Sequence, residues 1–353
     1  MPLHRTELSA EIQSLISGGT FIPAHPLALD AARRFDERRQ RALTRYYIDA
    51  GAGGLAVGVH TTQFAIRDVG LYEPVLQSAA HAAASWAKRP LVLIAGLCGG
   101  TEQAVAEARI AVRLGYHAGL LSLGAMQGRS DAEIIAHCRL IAAEIPLIGF
   151  YLQPAVGGVA LSAKFWREFA AIDNVVAIKV APFNRYRTLD VLRGVVAAGA
   201  LERVALYTGN DDHIILDLTL PFDIRHEGKT HRVNFRGGLL GHWSVWTSSA
   251  ARLFERCRAA RGQGTIDADL LALDARVTEC NSAFFDVANA FRGCIAGCHE
   301  VLRRQGLLEG VWLLDPNETL SPGQAEEIDR VQSEHADLSD DAFVATNLEH
   351  WLQ

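Results

Sequence analysis

Val175-Val176-Ala177-Ile178-Lys179-Val180-Ala181 is a β-branched, apolar run of strand length with one charged residue near its end. A continuous apolar run of this kind is typical of a strand covered on both faces, as in a parallel sheet. An ammonium group at Lys179 would lose hydration there, so we expect burial to lower the pKa of this lysine. A neutral amine on a rigid strand is what attack on a carbonyl and formation of a Schiff base require.

The use of lysine in the whole chain supports this interpretation. Lysine and arginine together number 34, and the only lysines are Lys88, Lys164, Lys179 and Lys229. A buried strand that carries lysine in such a chain indicates a need for an amine that can deprotonate, which arginine cannot do. The structural alternative is a lysine that extends from the strand end to water or to a carboxylate.

Composition limits the class of protein. The 353 residues are 49% hydrophobic and 21% charged, as expected for a globular protein with a sizeable core. The net charge of −6 gives no basic surface, so we expect no nucleic-acid partner. The sequence shows no signal-peptide pattern and no apolar run that could span a membrane, which predicts a cytoplasmic protein without a membrane partner. The six cysteines are scattered, which favours reduced thiols.

Short apolar runs alternate with longer amphipathic segments along the chain. Eight strand–helix units indicate a parallel sheet, and eight is the number that closes into a (β/α)8 barrel. The helical patterns include 31–50, 101–114, 131–144 and 161–171. The predicted strands are 19–24, 54–59, 91–97, 118–123, 147–152, 175–181, 204–208 and 235–240.

Other features of the chain refine this α/β architecture. A doubly wound open sheet is the alternative, but its phosphate-binding candidate, Gly96–Thr101, lacks the third glycine and the later acidic residue. Residues 220–233 predict an inserted hairpin with Glu227-Gly228 at its tip. The strand signal stops near residue 262. We therefore expect a barrel over 1–262 and a C-terminal helical extension over 263–353.

Barrel active sites gather at the C-terminal ends of the strands. Tyr151 lies at such an end, before a proline, where its phenol could shuttle protons for a Schiff-base lysine. The alternative is a half-buried tyrosine at the rim. Thr61 and Thr62 could hold a carboxylate or cap the next helix. Gly209 and His242 also lie at strand ends and are candidates for substrate contact.

Together these segments resemble the dihydrodipicolinate synthase/N-acetylneuraminate lyase family, the Schiff-base aldolases and lyases built on a (β/α)8 barrel. The resemblance extends from about residue 19 to residue 332. It is carried by Gly51-Ala-Gly-Gly-Leu-Ala-Val-Gly-Val-His-Thr-Thr-Gln63, by Tyr151-Leu-Gln-Pro-Ala-Val-Gly-Gly158, by Val176-Ala-Ile-Lys179 and by the closing segment Gln305–Pro322. The lysine strand with a Tyr-x-x-Pro motif before it is the specific pairing.

The resemblance implies roles for several residues. Lys179 would form the imine with a 2-oxo acid, typically pyruvate, and the chemistry would need no metal or other cofactor. Tyr151 would be the proton shuttle, and Thr61 its hydroxyl partner and carboxylate-side contact. The remaining candidates for substrate contact from the matched turn are His60, Thr62 and Gln63.

The sequence also departs from the family pattern. Val156 stands where the synthase has an arginine, which disfavours true dihydrodipicolinate synthesis. The turn Leu121–Met126 lacks the family's second tyrosine, so the usual proton relay cannot operate. His60 could replace this phenol, since an imidazole with a pKa near neutrality transfers protons readily. The alternative is a histidine hydrogen-bonded in its turn.

Two other functions stay open at this point. Strand-end histidines with neighbouring aspartates could hold a divalent metal, which would make the protein a metal-dependent hydrolase. The residues in question are His25, His60, His213, His242, Asp211 and Asp212. A barrel that kept the lysine but lost turnover could instead bind 2-oxo acids.

We therefore predict a lyase of the class I aldolase type with a pyruvate-type substrate, acting in cleavage or formation of a carbon–carbon bond. The family is commonly tetrameric, so we expect a homo-oligomer, either a dimer or a tetramer. The apolar helices after residue 264 are the predicted packing surface between subunits.

Overall fold

The computed structural model describes all residues 1–353 and shows the predicted (β/α)8 barrel with C-terminal helices. The eight barrel strands are β1 (Phe21–Pro23), β2 (Gly54–Val57), β3 (Val92–Leu97), β4 (Ala118–Leu121), β5 (Leu147–Leu152), β6 (Val175–Ala181), β7 (Ala205–Thr208) and β10 (Gly237–Leu240). They are parallel, and their order around the barrel is β1-β10-β7-β6-β5-β4-β3-β2.

Helices follow the barrel strands and cover the outside of the barrel, apart from the first helix, which precedes β1. Along the chain they are α1 (Ala10–Gly18), α2 (Glu37–Ala50), α3 (Tyr72–Trp86), α4 (Thr101–Arg113), α5 (Asp131–Ala142), α6 (Ala163–Ala170), α7 (Arg185–Ala197), α8 (Ile214–Thr219) and α9 (Thr247–Gly262). Helix α2 begins later than the predicted residue 31, because Asp36 caps it by accepting a hydrogen bond from the Arg39 amide.

The first and second strands close the barrel through short contacts. The Gly53 amide donates to the Phe21 carbonyl at 2.9 Å, and the His25 amide donates to the Ala56 carbonyl at 2.8 Å. Inside the barrel, alternate strand residues form an apolar core that helix α1 covers at the N-terminal end of the strands with Ile12 and Ile16. The open end is therefore the C-terminal end of the strands.

The predicted hairpin is confirmed between α8 and β10. Its strands are β8 (Phe222–His226) and β9 (Lys229–Val233), which pair antiparallel. Glu227 and Gly228 form the turn, both at positive φ, as a two-residue hairpin turn requires.

The C-terminal extension consists of α10 (Ala268–Phe284), α11 (Cys294–Arg304), α12 (Gln324–Glu334) and α13 (Asp341–Trp351). The expectation that these helices form the packing surface between subunits stays a prediction, although many of their apolar side chains are used within the chain itself. Their apolar side chains, such as Val277, Phe284, Leu302 and Trp351, are buried in the main core of the same chain. None of the helices is long and apolar enough to cross a membrane.

Candidate active site

A cavity of about 70 Å³ lies at the C-terminal end of the barrel strands. Strands β5 and β6 and the loop after β7 contribute lining residues, and the extension contributes a wall from the segment between α10 and α11 and from the start of α11. Lys179 and Asp211 are the only charged residues that line it. The cavity lining also includes His60, Thr61, Phe150, Gln153, Val156, Phe183, Gly209, Phe285, Phe291, Cys294 and Cys298.

Lys179 lies inside the barrel, on the buried strand that the sequence indicates. Burial lowers the pKa of Lys179 to about 8, and the nearby Asp211 carboxylate offsets part of this shift. The ammonium nitrogen lies 4.3 Å from the centroid of the Phe150 ring. Gly209 leaves room for this side chain, because a Cβ atom there would lie 2.7 Å from Lys179 Cε.

Asp211 is the second charged group of the cavity. Burial raises the pKa of Asp211 to about 7, although the Lys179 ammonium and a hydrogen bond from the His242 amide lower it. That amide donates to Asp211 Oδ1 at 2.9 Å. A carboxyl group that titrates near neutrality beside an amine with a lowered pKa has the properties of a general acid and base.

The loop after β7 holds Asp211 in place. Thr208 Oγ1 and Asn210 Nδ2 donate to the buried carboxylate of Asp217 at 2.7 and 3.0 Å. Asn281 Nδ2, on helix α10, donates to the Asp211 carbonyl at 2.7 Å. The Asp211 side chain is therefore oriented by both the barrel and the extension.

His60 and Thr61 line the same cavity from the turn after β2. Burial and the Lys179 charge lower the pKa of His60 to about 4, so the imidazole is neutral at physiological pH. The hypothesis that His60 replaces the missing tyrosine in proton transfer stays a prediction. The neutral ring and the Thr61 hydroxyl remain available as hydrogen-bonding groups.

The structure places Tyr151 outside the barrel, which contradicts the predicted proton shuttle at the mouth. Its ring packs beside Trp166 of α6, and its hydroxyl donates to the Leu161 carbonyl at 3.2 Å. Successive strand residues point to opposite faces. Because Phe150 pairs with Lys179 in the sheet, Phe150 faces the cavity and Tyr151 faces the helices.

Three other predicted contacts also lie away from the cavity lining. The Thr62 hydroxyl donates to the His25 carbonyl at 2.6 Å and accepts from the Gly58 amide, which fixes the turn. Gln63 Oε1 accepts from the Leu314 amide at 2.7 Å and ties the extension to the barrel. The ring of His242 is buried, while its backbone amide holds Asp211. None of the three lines the cavity, and each makes at least one structural hydrogen bond.

The histidines proposed as metal ligands are not brought together. His25 is fully buried and bonds to Thr44 Oγ1 through Nε2 at 2.8 Å, and His213 Nδ1 lies 3.1 Å from Asp274. The one set of close metal-ligating groups is Glu279, Glu334 and His335, far along the chain in the extension. This geometry gives no support to a hydrolase that uses the strand-end histidines.

Sequence reasoning missed the wall that the extension contributes. Phe285, Phe291, Cys294 and Cys298 have no motif or periodicity that places them at the barrel mouth. All six cysteines are free, including these two. Asp211 could have been found as an acid by its position after β7, where barrel enzymes place functional residues.

The comparison with protein families gives one match. The model of the "Dihydrodipicolinate synthetase family" matches residues 19–222, more than half of the chain. No curated protein matches the sequence significantly.

Solved structures share the fold at low sequence identity. Dihydrodipicolinate synthase from Oceanobacillus iheyensis is 16% identical with a TM-score of 0.75, over 92% of this chain and 99% of that chain. The pyruvate complex of the synthase from Acinetobacter baumannii is 20% identical, with a TM-score of 0.73 over 90% and 98% of the two chains. N-acetylneuraminate lyase from Fusobacterium nucleatum is 16% identical, with a TM-score of 0.70 over 90% and 99%.

Proposed function

Because the chain belongs to the dihydrodipicolinate synthetase family, whose members are class I aldolase-type lyases, we propose that it forms an imine between Lys179 and a 2-oxo acid of the pyruvate type. The observation that carries this proposal is a single amine with a lowered pKa in the cavity at the barrel mouth. The imine then serves as the electron acceptor for cleavage or formation of a carbon–carbon bond. No cofactor is required for this chemistry.

In the proposed mechanism, the neutral amine of Lys179 adds to the ketone carbon and gives a carbinolamine. Asp211 in its protonated form donates a proton to the departing hydroxyl, which leaves as water. The products are an iminium cation on Lys179 and a carboxylate on Asp211. The cavity then holds one positive and one negative charge, whose mutual attraction is stronger in surroundings of low polarity than in water.

Binding of the substrate carboxylate is assigned to hydrogen bonds, because the cavity has no arginine. Thr61 and His60 line the wall beside Lys179 and offer a hydroxyl and a neutral imidazole. Val156, which stands where the resemblance implies the synthase's arginine, lines the cavity. We therefore propose a lyase reaction other than dihydrodipicolinate synthesis.

The test is borohydride trapping with pyruvate and other 2-oxo acids, followed by mass mapping of the modified lysine. We expect one reduced adduct on Lys179. The variant Lys179→Arg should fold but give no adduct, and Lys164→Arg, at an exposed lysine on α6, should react like the unmodified protein. Adducts spread over several lysines, or persisting in Lys179→Arg, would refute the proposal.

A second candidate is a protein that binds 2-oxo acids through this imine without turnover. The absence of a phenol from the cavity favours it, since Tyr151 faces the helices. An assay for aldehyde release from a panel of 4-hydroxy-2-oxo acids separates the two candidates. Trapping without release would favour the binding protein.

The proposal also includes a cytoplasmic homo-oligomer, a dimer or a tetramer. Six free cysteines support a reducing compartment. Sedimentation velocity and cell fractionation test these two points.

A further inference from the structure

The cavity is mainly apolar outside the reacting pair. Its charged groups are Lys179 and Asp211, and the uncharged polar side chains that line it include Thr61 and Gln153. Resting on the proposed function, we infer that the 2-oxo acid carries an uncharged, apolar group beyond its reacting carbons, with an aromatic ring as the best filler. The residues that select this group are Phe183 and Phe291.

Four phenylalanine residues line the cavity together with Lys179. Phe150 and Phe285 are buried at the inner end. Phe183 and Phe291 are half-buried at the outer end and meet edge to face, with ring centroids 6.0 Å apart and an interplanar angle of 63°. The part of a bound substrate that extends from the imine towards solvent therefore lies against aromatic rings. Such rings bind apolar and aromatic groups by close packing and by preferred ring orientations.

The backbone fixes Phe291 at this position. Its φ angle is 65°, in the left-handed region that side-chain-bearing residues rarely adopt, and those of Asp286 and Ala290 are both 55°. The buried Asp286 carboxylate accepts hydrogen bonds from Asn289 Nδ2 at 2.7 Å and from the Gly293 amide at 2.9 Å. The surrounding hydrogen bonds thus hold the strained loop that directs residue 291 to the cavity.

Phe183 is held in a comparable way on the opposite side. Its φ angle is 48°, and its amide donates to Asn210 Oδ1 at 3.2 Å. Asn210 belongs to the loop that carries Asp211. Phe183 and Asp211 are therefore positioned by the same loop.

A charged tail on the substrate would lack a partner in this cavity. Once Lys179 has become an iminium, its charge is matched by Asp211, and the lining offers no second cation. A buried carboxylate without a cation or enough donors is strongly disfavoured. A chain with several hydroxyl groups would find few donors and acceptors along the phenylalanine rings.

The size of the cavity indicates how the apolar group enters. About 70 Å³ accommodates a compound of the size of pyruvate beside Lys179. A longer chain must separate Phe183 from Phe291, whose contact contributes only about 0.5–1.5 kcal/mol. An apolar tail can replace that contact with its own, whereas a charged tail cannot.

The experiment compares 2-oxo acids by borohydride trapping of the full chain. The probes are pyruvate, 4-phenyl-2-oxobutanoate and 2-oxoglutarate, and the readout is the concentration that half-saturates the adduct on Lys179. We expect this concentration to be at least about tenfold lower for the phenyl compound than for 2-oxoglutarate. Equal concentrations for the two, with pyruvate trapped, would overturn this inference and leave the proposed function standing.

Variants at the outer end give a reversal of preference. Phe291→Arg places a cation in the wall and should improve half-saturation by 2-oxoglutarate at least about tenfold relative to the phenyl compound. Val287→Arg adds the same charge at an exposed position of the same loop and should leave the ratio unchanged. Phe183→Arg repeats the test from the other side, and melting curves identify any variant that does not fold.

Two further results would count against the inference. An unchanged ratio in both folded arginine variants would show that the phenylalanine pair does not select the substrate. If no 2-oxo acid, including pyruvate, forms an adduct on Lys179, the proposed function fails and this inference fails with it.

Discussion

The amine of Lys179 and the carboxyl of Asp211 act on each other within the cavity. Burial disfavours both charged forms, which lowers the pKa of Lys179 and raises that of Asp211. The neutral pair, amine and acid, has the same number of protons as the pair of ions. The state that the proposed reaction requires is therefore accessible near neutral pH without any change in total charge.

The substitution Asp211→Asn tests the proposed acid. It removes a proton donor, so we expect the rate of imine formation to fall by about 10²–10⁴-fold. It also removes the negative charge that raises the pKa of Lys179, so the ionisation near pH 8 in the trapping profile should move to lower pH. The control is Asp212→Asn, at the adjacent residue outside the cavity lining. A rate and profile like those of the unmodified protein would exclude Asp211 as the acid.

The substitution Lys179→Met should stabilise the protein while it abolishes trapping. The folded-state pKa of Lys179, about 8, is below its ordinary value of 10.5, so the unfolded chain binds more protons between these values. The stability of the unmodified protein should therefore rise with pH across this window. We expect the variant to gain on the order of 2 kcal/mol in the free energy of unfolding at pH 7.

Denaturant unfolding at several pH values checks this gain. The advantage of Lys179→Met should decrease from pH 8 upward and vanish above about pH 10.5, because the unmodified lysine is then neutral in both states. An advantage that is the same at pH 7 and pH 10 would contradict the pKa shift as its cause.

The pairing of strand β5 with β6 determines which aromatic side chain lines the cavity. Leu147 pairs with Val175, but Ile148 pairs with Ala177, so β6 contains one extra residue before Lys179. The extra residue shifts the pairing of all later residues by one position, so Lys179 lies beside Phe150 and not beside Tyr151. Matching the sequence motif to that of the family therefore predicts Tyr151 at the barrel mouth, whereas the strand pairing in the structure puts Phe150 there.

The substitution Tyr151→Phe tests this placement. The hydroxyl bonds only to the backbone of Leu161, so its loss should lower the free energy of unfolding by about 1 kcal/mol. The rate of trapping by pyruvate should stay within about twofold of the unmodified protein. A loss of a hundredfold or more would mean that the phenol takes part in the reaction and that the strand presents its other face.

The sequence predicts some elements much better than others. The strand with Lys179 and the hairpin over 220–233 are recognisable because their patterns are local. The residues of β5 that face inward cannot be recognised in this way. Both faces of that strand are buried, so apolar residues do not alternate with polar ones. Phe291 and Cys294 could not be placed, since helical periodicity does not tell where a helix docks.

The C-terminal extension and the barrel form one packed body. The Asp340 carboxylate, before α13, is buried and accepts hydrogen bonds from the Tyr46 hydroxyl at 2.8 Å and the Ser248 amide at 2.9 Å. Gln305 Nε2 donates to its other oxygen at 2.8 Å. A single side chain therefore joins α2, α9 and the end of α11.

The substitution Asp340→Ala should weaken the entire fold. It leaves several buried donors without an acceptor, and we expect a loss of about 2–4 kcal/mol in the free energy of unfolding with one cooperative transition. Trapping on Lys179 at low temperature should be unaffected. Glu349→Ala, at an exposed residue of the same helix, should leave stability within about 0.5 kcal/mol. A separate early transition for the extension would contradict the single packed body.

The hydrogen bond from the Leu314 amide to Gln63 joins a residue near the start of the barrel to one synthesised after all ten strands. During translation, residues 285–314 leave the ribosome after all the barrel strands. The C-terminal end of a barrel that has already formed therefore stays uncovered until then. Contacts between such distant parts of a chain form late and slowly. Until then, a chain that has already formed its barrel exposes Lys179 and the apolar residues around the cavity, and exposed apolar surface of this kind favours aggregation.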